Sequence, residues 1–238
     1  MFSGSDGCSA GCEFNTQLGE CVCPEHAQTY SESCDINSRT GKCKKLGGRG
    51  GCFPGSAQVM LQDGGRKEMK DLQVGEVVLT GSGHFLPILG WLDINHNMPT
   101  DFVRIFTNQS SSLSLTGSHV IFRHSGKHGR QEPIFTRDLN VGDIIVHEAS
   151  GNKAKIIKIL SETKTGFYSP LTASGTLLVD GYLVSCYASY PHQVSHAALL
   201  PARTWPHLFL GNSVGQEGTG AFVTVVKRMG DFLDLRNN

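Results

Sequence analysis

Asp71-Leu72-Gln73-Val74-Gly75-Glu76-Val77-Val78-Leu79 returns 67 residues later as Asp138-Leu139-Asn140-Val141-Gly142-Asp143-Ile144-Ile145-Val146, and all nine positions match in residue type. A second echo links Leu115-Thr116-Gly117-Ser118-His119-Val120 to Val179-Asp180-Gly181-Tyr182-Leu183-Val184, offset by 64. Two echoes in the same order make coincidence a poor explanation and predict two copies of one subdomain. Two copies are too few for a stacked solenoid, so a closed body with pseudo-twofold symmetry is expected.

Residue types within the copies set the fold class. Val77-Val78-Leu79, Phe102 to Phe106, Leu113 to Leu115, Val120-Ile121-Phe122 and Ile144-Ile145-Val146 are short runs of strand formers separated by Gly, Ser, Asn and Asp. The expectation is an all-β body over residues 52–190, a compact barrel or sandwich rather than a parallel α/β sheet. Beyond it, Phe222, Val225, Val226, Met229, Phe232 and Leu233 fall on one face of a helix. Gly230 interrupts that face, lowering helix propensity by roughly 1 kcal/mol relative to Ala. Residues 191–238 therefore read as a short apolar, helical tail.

The opening of the chain follows different rules. Of eight cysteines in 238 residues, Cys8, Cys12, Cys21, Cys23, Cys34 and Cys43 crowd the first 43. Residues 1–43 read as a disulfide-stapled module, which requires an oxidising compartment and so a secretory or extracellular location. Six cysteines allow 15 connectivities, so neither the pairing nor the partner of this head can be read from spacing. Metal binding is the rival, but Cys21-x-Cys23 is tighter than a C-x2-C knuckle and no paired His completes a zinc pattern. Met1 to Gly7 lacks the apolar run of a signal peptide, so a fragment or an incomplete beginning is expected. Residues 44–51, Lys-Lys-Leu-Gly-Gly-Arg-Gly-Gly, read as an accessible connector, and a plain linker explains their glycines equally well. Basic and acidic residues balance at 21 each, so the overall charge indicates neither a nucleic-acid nor an anionic-membrane partner.

Cys52 stands at the seam between connector and β body, after Gly50-Gly51 and before Phe53-Pro54. A thiol there can attack the carbonyl of Gly51 through a five-membered ring, converting the amide into a thioester, and Gly51 puts no side chain in its path. The shift is uphill for an ordinary amide and requires bond distortion and a proton donor for the departing nitrogen. Thr116-Gly117-Ser118-His119 offers both residue types near a strand end, His being the acid suited to neutral pH. Alone, a T-x-x-H is a weak signal.

Four segments together resemble the Hint block of the Hedgehog autoprocessing domain, in the same order and at similar spacing. They are Gly51-Cys52-Phe53-Pro54-Gly55-Ser56, Asp71 to Glu76, Leu115-Thr116-x-x-His119 and Ser185-Cys186-Tyr187-Ala188, spanning residues 51–196. The resemblance implies a pseudo-twofold Hint β fold, with Cys52 as nucleophile and Thr116 and His119 promoting the acyl shift. It implies that Asp93, in Gly90-Trp91-Leu92-Asp93, acts on the second nucleophile, the sterol hydroxyl in Hedgehog itself, and that Cys186 can pair with Cys52 or tune it. The following loop, Ile94-Asn95-His96-Asn97-Met98, departs from the family's charged run. Ser195 to Arg203 and residues 222–233 resemble, in abbreviated form, the region that recognises cholesterol.

The implied function is self-cleavage at Gly51-Cys52, with the thioester resolved by a cholesterol-like sterol that stays on the released N-terminal fragment and can bring it to a membrane. Sterol enters as co-substrate, and no cofactor or metal is expected. Two alternatives remain, resolution by water or a thiol and a non-catalytic extracellular binding module with a Hint-like relic, whereas an intein is disfavoured because splicing needs a terminal His-Asn where this chain reads Leu235-Arg236-Asn237-Asn238.

Overall fold

The structure is a computed structural model describing residues 13–15, 20–22, 34–36, 43–45, 52–81, 83–124, 130–148, 151–210 and 218–232. The chain divides into two compact units, Met1–Leu46 and Gly47–Asn238. In the first, β1 (Glu13–Asn15) pairs antiparallel with β2 (Glu20–Val22), and β3 (Cys34–Ile36) with β4 (Cys43–Lys45). The expected disulfides and Gly51 lie outside the residues whose side chains are described.

The second unit opens with β5 (Gln58–Met60) and then runs through one series of elements twice. The first pass is β6 (Arg66–Glu68), a 3-10 turn at Met69–Asp71, β7 (Val77–Leu79), β8 (Phe85–Thr107), β9 (Ser112–Leu115) and β10 (His119–His124). The second is β11 (Gln131–Phe135), a 3-10 turn at Thr136–Asp138, β12 (Ile144–His147), β13 (Asn152–Thr172), β14 (Thr176–Val179) and β15 (Tyr182–Ala188).

The repeated sequence makes the same hydrogen bonds each time. Gln73 N–H donates to Glu76 Oε2 at 2.7 Å, and Asn140 N–H to Asp143 Oδ2 at 2.9 Å. Gly75 N–H reaches the Ile88 carbonyl at 2.8 Å, and Gly142 N–H the Ile156 carbonyl at 2.9 Å. Both glycines sit at positive φ, 91° and 99°, in the left-handed region that favours a residue without Cβ.

The strands join in the order β11-β10-β15-β12-β13-β8-β7, with β9 on β8 and β14 on β15, while β5 and β6 form a separate hairpin. The all-β expectation holds, and the two halves are knitted by β8 and β13, which pair from Ile156↔Thr107 to Thr172↔Ile88. These strands run 23 and 21 residues, far longer than the short runs the sequence indicates. Pro87, Pro99, Gly90, Gly166 and Pro170 interrupt the pattern but not the strands. Register shifts absorb the breaks, as at Thr165/Phe167, where Gly166 adopts φ 84°. One apolar core runs through both halves, with Ile88, Ile105 and Leu113 from the first and Ile145, Ile156 and Leu177 from the second fully buried.

Among the described residues, four helices follow: α1 (His192–Ala198), α2 (Leu200–Thr204), α3 (Pro206–Phe209) and α4 (Ala221–Phe232). Leu199, Ala202, Leu210 and Val223 join the β core, and the Phe209 and Phe222 rings meet at 4.7 Å between centroids. The apolar face of α4 is displaced from the expected one, because Val223 is buried while Val225 is 53% exposed. The helix meets the body along Phe222, Val223 and Val226, and Leu233 lies outside the described residues.

Candidate active site

Cys52 is locked in place from both sides. Phe53 exchanges two backbone hydrogen bonds with Tyr168, both 2.9 Å, pinning the segment to β13. Cys52 itself is gripped by Thr116, whose N–H donates to the Cys52 carbonyl at 3.1 Å and whose Oγ1 accepts the Cys52 N–H at 3.0 Å. The nitrogen that must depart in an acyl shift is thus the one bound to the Thr116 hydroxyl. The duplication explains this grip. Asp180, the counterpart of Thr116 in the second copy, holds Gln58 the same way, donating its N–H to the Gln58 carbonyl at 2.8 Å and accepting Gln58 N–H on Oδ1 at 3.1 Å.

His119 follows at the turn into β10, its N–H donating to the Thr116 carbonyl at 3.0 Å. It is fully buried, and the Phe53 ring packs on it with centroids 4.4 Å apart. Nε2 lies 2.7 Å from the Ser185 carbonyl. A carbonyl only accepts, so Nε2 carries hydrogen and Nδ1 is the nitrogen that can exchange a proton without breaking this bond. Ser185 also anchors the tail, because its Oγ accepts Tyr187 N–H at 2.9 Å and is bonded to His192 Nδ1 of α1 at 2.9 Å. Burial, His196 and Arg203 hold the His192 ring down at about 4, so it is neutral at physiological pH.

The Cys52 thiol packs with Phe102 and Phe167, which sequence reasoning did not single out. Burial chiefly, and then the charge of Asp93, push it well above its ordinary range, with Lys227 pulling the other way. Cys52 therefore rests as a thiol whose proton must leave as sulfur attacks. Asp93, on β8 opposite Ser169, is ion-paired through Oδ2 with Lys227 Nζ of α4 at 3.3 Å. Lys227 carries no signal in the sequence, since a lysine on a half-apolar helix reads as a solvated residue.

The structure gives Cys186 different neighbours from Cys52. It is a free thiol in the main core with Thr172 Oγ1 at 3.6 Å, and burial pushes it up to about 11. Cys52 is likewise free and falls in the smaller cluster with the two phenylalanines.

Asp93, Lys227 and Cys186 line a cavity of about 360 Å³ between the β body and the tail. Its walls are otherwise largely apolar, with Leu92, Val194, Leu199, Phe222, Val226 and Met229 among them. The volume is at the lower end of the roughly 300–1,000 Å³ of small-molecule sites. Among the described residues, no group of three or more His, Cys, Asp or Glu is placed to hold a metal ion.

Comparison with known proteins identifies this arrangement. Residues 42–231 match the family model of the Hint module. The chain belongs to the Hint family. The chain is 32% identical over 187 residues to Indian hedgehog B protein of Danio rerio, covering 71% of this chain and 45% of that protein. It is 36% identical over 181 residues to Tiggy-winkle hedgehog protein of the same fish, covering 71% and 43%. The chain thus spans less than half the length of these relatives. The gp41-1 intein, 17% identical, overlays 58% of this chain and 99% of its own with a TM-score of 0.48.

Proposed function

We propose that this Hint module cleaves its own chain at Gly51-Cys52 by an N-to-S acyl shift, and that a sterol-class lipid alcohol resolves the thioester. The observation that carries the first half is the hydrogen bond from Cys52 N–H to Thr116 Oγ1 at 3.0 Å. That acceptor binds the N–H more strongly as the nitrogen gains a proton and positive charge than it does in the resting amide, which lowers the barrier to its departure. Cys52 Sγ bonds to the Gly51 carbonyl carbon, the C–N bond breaks, and the nitrogen becomes an amine. The thiol loses one proton and the nitrogen gains one, and His119 Nδ1 is the carrier this reading assigns.

The second half rests on the cavity. An apolar chamber holding one carboxylate suits a ligand with a bulky hydrocarbon body and a single hydroxyl. Asp93 is the base for that hydroxyl. Similarity to hedgehog proteins, together with the six cysteines before residue 44, supports a secretory-pathway location and a disulfide-bonded head.

The test is the mass of the released N-terminal fragment after incubating the whole chain with cholesterol in detergent micelles or with dithiothreitol. Addition of sterol mass in the first case supports lipid transfer. A fragment carrying only a free carboxyl terminus in cholesterol would replace it with hydrolysis.

A further inference from the structure

Lys227 places a cation on the wall of a largely apolar cavity, and the chemistry proposed above has no evident use for it. The residue is held at both ends. Its backbone carbonyl accepts the Tyr190 hydroxyl at 2.7 Å, and its Nζ reaches Asp93 Oδ2 at 3.3 Å. Tyr190 is buried and lines the same cavity. Besides the apolar packing of Phe222, Val223 and Val226, the helix carrying part of the cavity wall is therefore hydrogen-bonded to the β body through Lys227, and that residue grips the carboxylate of the second half-reaction.

The pairing has a physical purpose. A lone carboxylate against apolar walls is disfavoured as an anion and has no fixed orientation. The Asp93 side chain is 11% exposed, whereas that of Lys227 remains 33% exposed. With its lysine reaching solvent, the pair is screened on one side and contributes modestly to stability. What it does determine is which way Asp93 faces.

We infer that Lys227 is a positioning residue for lipid transfer: it fixes Asp93 as an oriented carboxylate at the cavity, so that the second half-reaction is assembled only when α4 is seated. This rests on the proposed function. In that step the lipid hydroxyl gives its proton to Asp93 as its oxygen bonds to the Gly51 carbonyl carbon. The carbon–sulfur bond breaks, the electron pair stays on Cys52 Sγ, and the proton passes to that sulfur. The products are an ester and a thiol. Lys227 touches neither the lipid hydroxyl nor the thioester and acts through Asp93, while a small thiol attacking the thioester needs no base in the cavity.

The experiment uses the whole chain and measures release by cholesterol in micelles and, separately, by dithiothreitol. Lys227→Met is expected to lower the limiting cholesterol-driven rate about 10- to 100-fold relative to the thiol-driven rate, as misplacement of a reacting group does. Half-saturating cholesterol should stay within about threefold, since the apolar walls that hold the lipid are retained. Lys227→Arg should recover most of the rate, and Lys227→Met should add no further loss to Asp93→Asn. An unchanged ratio, a parallel fall of both reactions, or no rescue by arginine overturns the inference. If wild type forms no sterol adduct although thiol releases the fragment, the acceptor reading falls with it. An adduct made equally well by Lys227→Met removes the role of Lys227 alone.

Discussion

Thr116→Val tests how the amide is activated. Cys52 and Thr116 are both essentially inaccessible, 0% and 1%, and the Cys52 N–H to Thr116 Oγ1 bond is 3.0 Å. Valine keeps the shape and β-branching and replaces the acceptor with a methyl, leaving a buried N–H unsatisfied at a cost of about 1–3 kcal/mol. If the hydroxyl binds the nitrogen equally well at rest and in the transition state, the whole cost appears as lost stability. If it binds the nitrogen more tightly as the nitrogen gains a proton, part of the cost appears in the barrier. A barrier share of about 1.4–2.7 kcal/mol slows release roughly 10- to 100-fold. The assay is a time course of dithiothreitol-driven release on a denaturing gel, with urea unfolding of the same samples. Thr116→Ser retains the acceptor and should release within about threefold of wild type. A folded Thr116→Val chain releasing at the wild-type rate would refute the reasoning.

Asp180 and Cys186 yield two further predictions. Burial raises Asp180 from 3.8 to about 6, so the folded state holds its proton more tightly and stability falls as pH rises through that window, with the full penalty present above about 6. Asp180→Asn keeps the acceptor for Gln58 N–H and tolerates φ 51°, so it should be more stable than wild type at pH 7 by about 1–3 kcal/mol, and equal near pH 4, by urea unfolding. Cys186, raised to about 11, is protonated at neutral pH, and its surroundings are those of a packing residue. Cys186→Ala should cost about 1–2 kcal/mol in urea unfolding and leave thiol-driven release within about threefold, whereas a folded variant slowed by more than about tenfold would give Cys186 a direct part.

Much of the fold was legible because duplication leaves a mark that needs no relatives to see. The Gly75 and Gly142 turns, with their matched side-chain caps, are local solutions written in consecutive residues. The length of β8 and β13 was hidden because Pro and Gly punctuate a sequence whether or not the backbone stops. There it bulges instead, and only the pairing of the two strands reveals it. The same division runs through the site. Thr116 and His119 share a short motif, and their link to Cys52 follows from a recognisable order of segments. Lys227, Phe102, Phe167 and Ser185 reach the site through tertiary packing, from positions where each residue type has an ordinary explanation. The α4 face was misplaced for a related reason, since periodicity marks which residues are apolar but not which of them the β body leaves room to bury.

The central claim is that the chain breaks itself between Gly51 and Cys52 through the Cys52 thiol. It is tested most directly by treating the purified whole chain and its Cys52→Ala variant with dithiothreitol and measuring intact masses. The account predicts that wild type yields a C-terminal product of residues 52–238 with Cys52 at its amino terminus, while Cys52→Ala stays whole. An uncut wild-type chain, a break elsewhere, or the same break in Cys52→Ala would contradict it.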